Sequence, residues 1–252
     1  MSGNVGAMDK AISAYLVEHS NISINDIVVE FKSEGKNLLH IAASSGHEQS
    51  LNYFIQKCSA SIKSIVDLKD DKGMTAIMNT TISENEANMR SLIKAGCEVN
   101  MTNNDGASAL HFAAGDGSVK RMKILIESGA NLSIASNSGN ALHWAASKGR
   151  TEAVEFLIGT QKINVNEVNA QGLPPVLLAA VASSDGSVDS IITAGADTGF
   201  ILGGNLTLLH ICSENGLSKS VTAIIGKPEG LKCCAIATVC VYNIYIHTHT
   251  SY

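Results

Sequence analysis

The chain repeats one arrangement of apolar residues six times, with a period close to 33 residues. In each copy an apolar residue is followed three and four positions later by an apolar pair, and this spacing puts all three side chains on one face of a helix. The copies are Leu51 with Phe54 and Ile55, Met89 with Leu92 and Ile93, Met122 with Leu125 and Ile126, Val154 with Leu157 and Ile158, Val188 with Ile191 and Ile192, and Val221 with Ile224 and Ile225. The pattern predicts one amphipathic helix in each copy.

A second short segment precedes each of these helices. Its clearest copies read Leu-Leu-His-Ile-Ala-Ala at 38–43, Ala-Leu-His-Phe-Ala-Ala at 109–114 and Ala-Leu-His-Trp-Ala-Ala at 141–146. The histidine position sets the phase of the repeat. Its six copies are His40, Met78, His111, His143, Leu177 and His210, and successive copies are 38, 33, 32, 34 and 33 residues apart. Each copy therefore predicts a short helix, a tight turn, a second helix and a polar loop.

This period and the Leu-His-x-Ala-Ala core resemble the ankyrin repeat. The resemblance covers about residues 35–226 and implies an all-α fold, an ankyrin-repeat solenoid of six stacked helix–turn–helix units joined by short β-hairpin-like loops. One such unit cannot bury both of its apolar faces alone, so neighbouring units share a core and the ends need caps. Residues 1–34 are predicted to form a helical cap at the N-terminus.

Departures from the repeat are predicted to fall in loops, where extra residues cost little. The excess of the first interval is assigned to a loop at 58–64, and the extra residue of the fourth interval to residues 159–164. Met78 and Leu177 replace the histidine in the second and fifth units, and Gly186 is displaced from the usual glycine between the two helices. These two units are therefore expected to be the less rigid members.

The pattern stops after Ile225, and residues 227–252 are predicted to form a non-repeat tail, disordered or artefactual. Codons for Val-Cys-Val-Tyr and Ile-His-Thr-His-Thr, both within 239–252, can be written as alternating purine–pyrimidine repeats. We hypothesise that the tail translates a retained intron of a longer protein. The alternative is a capping strand of β-branched and aromatic residues.

Composition and charge argue against several classes of function. Hydrophobic residues make up 45% of the chain and charged residues 16%, so the chain is not wholly disordered. The net charge is −5, basic residues are scattered and aromatic residues make up 4%, so neither nucleic acid nor a membrane is an expected partner. The sequence shows neither a secretory signal nor an apolar run of roughly 18 residues. With six cysteines and no Cys-x-x-Cys pair, we expect a reducing, cytoplasmic location, with or without a nuclear one.

The recurring histidines His40, His111, His143 and His210 have two interpretations, a metal array and a structural motif in which each ring holds its own turn. The ankyrin resemblance implies the second. Stacked helices lie about 8–10 Å apart and Zn–N bonds are about 2.0–2.1 Å long, so histidines one repeat apart cannot share an ion. We therefore predict a structural role for them and no metal or cofactor.

The sequence contains no recognisable catalytic motif. The glycines at 115–117 and at 203–204 match neither phosphate-loop pattern, and the Gly-x-Ser-x-Gly nucleophile motif does not occur. We therefore expect a scaffold or adaptor that binds another protein and is not an enzyme. The alternative is the regulatory arm of an enzyme whose catalytic domain lies outside this chain.

The resemblance directs attention to the concave surface of the predicted array, towards which the residue after the histidine position points in ankyrin proteins. That residue is aromatic in two consecutive units, Phe112 and Trp144, which are expected to be neighbours. Large aromatic side chains dominate interface hot spots, although both rings could instead pack between repeats. Asp116 and Lys148 lie four residues beyond the rings, one helical turn on.

The loop tips are the second candidate surface. Asp71 and Lys72, and likewise Asn104 and Asp105, precede the glycines of their loops, where the family often makes partner contacts. The alternative is a solvated turn whose Asp and Asn side chains bond to the local backbone. The expected partner is another protein of unknown identity, bound by a monomer, with no small-molecule substrate.

Overall fold

The computed structural model describes residues 5–33, 35–83, 85–202 and 206–227. The chain divides into two compact units. The first unit contains Met1–Ala113 and Lys120–Ser136, and the second contains Ala114–Val119 and Asn137–Tyr252.

The described residues are mainly helical. The helices up to residue 127 are α1 (Val5–Glu18), α2 (Ile24–Glu30), α3 (Leu38–Ser44), α4 (Glu48–Lys57), α5 (Ile62–Ile65), α6 (Ala76–Asn79), α7 (Glu86–Lys94), α8 (Ala109–Asp116) and α9 (Val119–Glu127). The elements that follow are α10 (Ala141–Ser147), α11 (Thr151–Gly159), α12 (Pro175–Val181), α13 (Asp185–Thr193), β1 (Ile201–Leu202), β2 (Leu206–Thr207), α14 (Leu208–Glu214) and α15 (Ser218–Ile225).

Asparagine side chains cap the first turns of several helices. The Oδ1 of Asn37 accepts a hydrogen bond from the N–H of His40 at the start of α3. The Oδ1 of Asn85 likewise accepts from Ala87 and Asn88 at the start of α7. Such caps satisfy N–H groups that have no partner within the helix and contribute typically about 1 kcal/mol each. They fix where these helices begin.

Packing between consecutive helix pairs builds the core of the first unit. Helix α3 packs against α6 and helix α4 against α7, while α1 packs on α4 and α2 on α3. The apolar positions of these helices are fully buried, for example Leu39, Leu51, Met89 and Leu92, each 0% exposed. Burial of such a side chain contributes about 1.5–3 kcal/mol, so contacts between pairs stabilise this unit more than contacts within one pair can.

The second unit contains two rows of helices. Helices α10, α12 and α14 pack one against the next, and α11, α13 and α15 form the other row. The alanine pairs of the first row, Ala145 with Ala146 and Ala179 with Ala180, are 0% exposed. Because their side chains are small, helices of this row can approach one another closely.

The predicted order of short helix, turn, second helix and loop is confirmed in each of the six copies, as is the all-α fold class. The loops before the short helices are hairpin-like, and we call them fingers. Only one of the fingers that the structure describes contains paired strands, in which Ile201 of β1 lies opposite Thr207 of β2 in an antiparallel register.

The long first interval contains a short helix where the sequence predicts only a loop. Helix α5 lies in it, and Ile62 and Ile65 are buried there together with Cys58. The segment is also tied to the N-terminal helices, since the Nδ2 of Asn25 donates to the Oγ of Ser61 over 3.1 Å. The insertion is therefore packed against the core because its apolar residues are spaced three apart, a helical signal too short to recognise in the sequence.

Left-handed residues end the second helices and form the turns between the two helices of a unit. Gly96, Gly129 and Gly195 follow the second helices with φ of +87°, +91° and +96°. Two residues other than glycine take the same conformation, Gln161 with φ 57° and Ser183 with φ 55°. Gln161 stands where three of the other units have the helix-ending glycine, and Ser183 stands where four of them have the inter-helix glycine.

Residues 5–33 contain α1 and α2, but the boundaries of the cap, the array and the tail stay predictions. The tail beyond Lys227 and the glycines at 203–204 lie outside the described residues. Among the residues that the structure does describe, no helix is both long and apolar enough to span a membrane.

Candidate functional site

Each recurring histidine lies at the start of its short helix and bonds to the residue three positions before it. The Nδ1 of His40 is 2.6 Å from the Oδ1 of Asn37, and its Nε2 is 2.9 Å from the carbonyl oxygen of Met74 in the next finger. The same pairing recurs for Ser108 with His111 at 2.9 Å, Asn140 with His143 at 2.8 Å and Thr207 with His210 at 2.8 Å. These rings hold their own turns.

Burial lowers the pKa of His40 and of His143, because the charged imidazolium loses its hydration. The Met74 carbonyl opposes this shift at His40, and the Glu167 carboxylate opposes it at His143. Neutral rings suit hydrogen bonds to the backbone and to neutral caps. Within the described part of the chain, no group of three His, Cys, Asp or Glu side chains is placed to hold a metal ion.

Three fingers share a side-chain turn that the sequence reasoning placed one residue too late. The Oδ1 of Asp70 accepts from the N–H groups of Lys72 and Met74 over 2.9 and 2.8 Å. Asn103 and Asn169 bond in the same way to the residues two and four positions on. The first residue of the tip therefore forms the local turn, and the side chains of Asp71, Lys72, Asn104 and Asp105 are exposed.

Neighbouring fingers of the first unit touch through two of the predicted partner residues. The carboxylate of Asp71 lies against Gly35, and the side chain of Asn104 lies against Gly73. Asn104 also donates from its Nδ2 to the carbonyl oxygen of Asp71 over 3.2 Å. Asp71 and Asn104 thus contribute to packing between fingers. The side chains at Lys72 and Asp105 extend from the tips.

The loops after the second helices carry a clamp that the sequence reasoning missed. The Nδ2 of Asn100 donates to the carbonyl of Gly129, and its Oδ1 accepts from the N–H of Asn131. The same two bonds, at the same offsets of 29 and 31 residues, join Asn166 to Gly195 and Asp197. The clamp therefore ties each of these loops to the next, and the recurrence of asparagine 66 residues apart was the available signal.

Aspartate takes the position of this asparagine in the preceding loop. Asp67 accepts from the N–H of Glu98 over 3.0 and 3.1 Å but has no N–H to donate to a carbonyl. Burial raises the pKa of Asp67, and the nearby Glu98 charge raises it further, while the hydrogen bond from Glu98 opposes them. The carboxylate forms only half of the clamp.

Trp144 lies half-buried on α10, directly after the histidine position. It is on the side of the helix that the core does not cover, which we call the outward face. A Cβ added at Gly115 would lie 3.2 Å from the Cε3 of Trp144, so the indole rests against a residue without a side chain. The equivalent residues in the other units all carry side chains, for example Ser147 and Val181. Gly115 therefore makes room for the only tryptophan of the chain.

The other residues predicted to form a site with Trp144 are Phe112, Asp116 and Lys148. Phe112 is half-buried on α8 and belongs to the first unit, whereas Trp144 belongs to the second, so their expected proximity stays a prediction. Asp116 and Lys148 are exposed at the ends of α8 and α10. Each residue is accessible enough to contact a partner.

A strip of apolar side chains on the same row of helices was not among the predicted partner residues. Leu178 and Val181 of α12 and Ile211 of α14 occupy the outward positions equivalent to Trp144 or one turn beyond it. Val181 is 64% exposed, in contrast to the buried Ala179 and Ala180 beside it. The sequence signal that could have revealed this strip is the run of apolar residues in α12, because the run includes positions that the core does not bury.

Comparison with known proteins shows that this chain is similar to proteins built from stacked repeats. A family profile described as "Ankyrin repeats (3 copies)" matches residues 5–103 and 74–169. Transient receptor potential cation channel subfamily A member 1 of Homo sapiens is 28% identical over 226 residues, 84% of this chain and 19% of that protein. Neurogenic locus Notch protein of Drosophila melanogaster is 32% identical over 108 residues, 42% of this chain and 4% of that protein. The chain thus spans less than a fifth of either relative.

A solved structure leads to the same fold. An ankyrin repeat domain from Acinetobacter baumannii AYE has a TM-score of 0.64 and 27% identity, and the match covers 78% of this chain and 97% of that domain. This likeness and the profile match confirm the stacked helix–turn–helix repeats predicted from the sequence.

Proposed function

Since the chain belongs to the ankyrin repeat family, whose repeats are protein–protein interaction modules, we propose that it is a non-catalytic scaffold for a partner protein. The partner binds to the outward face of the short helices and to the finger tips. Affinity then comes from a surface that is already ordered, so little conformational entropy is lost on binding.

The exposure of Trp144 carries this proposal. Its neighbours Ala145 and Ala146 are 0% exposed and supply the contacts between helices, whereas the indole remains half-exposed on the opposite face. A tryptophan presents a large, rigid apolar surface and one N–H donor, which is why this residue type dominates interface hot spots. Phe112 supports the proposal in the same way on α8.

The finger tips add a polar contribution. Lys72 and Asp105 extend from consecutive fingers of the first unit, while Asp71 and Asn104 hold those fingers together. Charges at the rim of an interface mainly set the association rate and the choice of partner. We therefore assign the tips to specificity and the aromatic residues to affinity.

The test has two steps. Immobilised wild-type protein is used to isolate a saturable partner from an extract of its source cells, and the purified partner is then titrated against variants. Trp144→Ala should weaken the affinity by at least about tenfold, as expected for a hot-spot residue. Val17→Ala is the matched control, because Val17 is 82% exposed on α1 and lies outside the proposed surface.

The variants must keep the unfolding midpoint of the wild type, which circular dichroism checks. Unchanged affinity in Trp144→Ala, Phe112→Ala and the double variant Lys72→Ala with Asp105→Ala would rule out the proposed surface. Failure to isolate any saturable protein partner would contradict the scaffold role itself.

A further inference from the structure

The outward faces of α10, α12 and α14 form what we call the apolar strip: Trp144, Leu178, Val181 and Ile211. Because these helices pack one against the next, the four side chains follow one another across three repeats of the second unit. Val181 is 64% exposed and Ile211 is 8% exposed, while Trp144 and Leu178 lie between these values. The exposed apolar surface of the strip is therefore made mainly by Val181, with part of Trp144 and Leu178 beside it, while Ile211 contributes only a small edge.

Opposite charges lie at the two ends of the apolar strip. Lys148 follows α10 and Glu214 ends α14, and both are exposed. Neither side chain forms an ion pair or a hydrogen bond with another residue in the described parts of the chain. Helix α12 between them carries no charged residue. A ligand lying along the strip must therefore be apolar in its middle and carry an acidic group at one end and a basic group at the other.

The strip also restricts the backbone conformation of this ligand. Its surface consists of helix side chains, so no strand edge is offered to an extended peptide in this part of the described structure. An extended segment lying on it would lose hydration of its N–H and C=O groups without gaining partners, which costs free energy for each group. A helix satisfies those groups internally and can place apolar residues along one face.

We propose that the apolar strip binds one amphipathic helix of the partner protein, with an acidic residue near Lys148 and a basic residue near Glu214. The strip spans two helix-to-helix steps of about 8–10 Å, or about 20 Å, which corresponds to about 13 residues of helix. This inference rests on the proposed scaffold function and adds the chemistry of the bound segment.

Synthetic helices test the proposal without knowledge of the natural partner. One fluorescein-labelled peptide of about 14 residues has a leucine face, a glutamate at one end and a lysine at the other. The control peptide has the same leucine face and a glutamate at both ends; exchanging the two charges would not suffice, because the helix could simply turn around. Fluorescence polarisation should show that the wild-type protein binds the mixed-charge peptide at least about tenfold more tightly.

Variants of the strip locate the binding site. Val181→Glu should weaken binding of the mixed-charge peptide by at least about tenfold, because it places a charge in the middle of the apolar surface. Val17→Glu, the same substitution on α1, should leave the affinity unchanged. Glu214→Lys should reverse the preference, so that the peptide with two glutamates binds more tightly than the mixed-charge peptide.

Equal binding of both peptides, or a Val181→Glu variant that binds like Val17→Glu, would overturn the inference. So would an unchanged preference in Glu214→Lys, a surface substitution that leaves the apolar side chains in place. If the peptides fail while Trp144→Ala still abolishes capture of the natural partner, the scaffold function stands and the bound segment is not a helix of this kind. If both fail, the scaffold function fails as well.

Discussion

Single residues in left-handed conformation separate the regular repeats from the irregular ones. The turns between paired helices use glycine in four units, Gly46, Gly117, Gly149 and Gly216, with φ between +63° and +83°. The fifth unit places Ser183 there at φ 55°. A side chain with a Cβ is disfavoured in this region by about 1–2 kcal/mol, so the fifth unit carries local strain that its sequence reveals only when compared with its neighbours.

We expect Ser183→Gly to stabilise the protein by about 0.5–1 kcal/mol. The substitution removes the steric cost of the left-handed backbone, and the greater freedom of glycine in the unfolded chain offsets part of the gain. Urea unfolding measures the change. Ser147→Gly is the matched control: Ser147 lies within α10, where glycine should destabilise by about 0.5–1 kcal/mol. Destabilisation by both substitutions would contradict the strain at Ser183.

Asp67→Asn should complete the clamp that Asn100 and Asn166 form elsewhere. The new amide can donate to the carbonyl of Gly96, which lies 29 residues further along the chain. Gly129 and Gly195 lie at the same offset from Asn100 and Asn166, and their carbonyls accept the equivalent bonds. One such hydrogen bond adds about 0.5–1 kcal/mol to the free energy of unfolding at neutral pH. Asn100→Asp is the reverse control and should destabilise the protein.

The pH dependence of this variant follows from the raised pKa of Asp67. A carboxyl whose folded pKa exceeds its unfolded value binds protons on folding, so its contribution to stability falls as the pH rises through those two values. The stabilisation by Asp67→Asn should therefore be larger at pH 7 than at a pH well below 3.8, the ordinary pKa of this group, where the wild-type carboxyl is protonated in both the folded and the unfolded state. An equal effect at both pH values in urea titrations would contradict the assigned environment.

Elements were predicted from the sequence wherever a pattern recurred. The triplet at Leu51, Phe54 and Ile55 and its five copies fall in α4, α7, α9, α11, α13 and α15, because burial of one helical face imposes that spacing. Helix α5 was missed, since it occurs once and spans only Ile62–Ile65. The turn residues Asp70 and Asn103 were placed one position late, because any Asp or Asn near a glycine gives the same turn signal.

The candidate site was predicted only in part. Trp144 and Lys148 could be chosen because aromatic type and helical spacing are visible in a sequence. Val181 was missed, since an apolar residue in a short helix reads as core until its exposure is known. Asp71 and Asn104 were chosen for partner contact, yet both pack against glycines of the preceding finger, a contact between distant parts of the chain.

At the contact between α8 and α10, Gly115→Val should displace the indole of Trp144. A Cβ at position 115 would lie only 3.2 Å from the Cε3 of Trp144. The larger side chain of valine would therefore push the ring outward. Because Trp144 is the only tryptophan, its emission reports this movement directly and should shift to longer wavelength as the ring enters water. Ser44→Val, at the equivalent position on α3, is the control and should leave the emission unchanged. An unshifted spectrum in Gly115→Val would show that the ring does not rest there.

Across the whole molecule, stability is expected to differ between the N-terminal helix and the inner helices. Helix α1 has no buried residue, and it is attached to α4 by the hydroxyl of Tyr53, which donates to Asp9 over 2.7 Å, and by the ion pair of Lys57 with Asp9. Helix α10, in contrast, contains five buried residues. The free energy of local opening follows buried contact, so α1 opens at lower cost.

Hydrogen exchange measured by mass spectrometry should therefore show amides of α1 exchanging at least about tenfold faster than those of α10. Asp9→Asn should accelerate exchange in α1 further, since it removes the charge that holds Lys57, and should leave α10 unaffected. Equal protection of the two helices would mean that α1 belongs to the same cooperative unit as the core.

The asparagine clamps have a bearing on how such a chain changes over evolutionary time. The side chain of Asn166 bonds to the backbone of Gly195 and Asp197, so it recognises the presence of a following loop and not the identity of its side chains. A unit copied by unequal crossing-over would thus keep this loop-to-loop joint with its new neighbour without compensating mutations in the loop. Substitutions at the outward residues could then change which partner binds while the clamp stayed intact. The residues that determine stability and those that determine binding can therefore evolve independently.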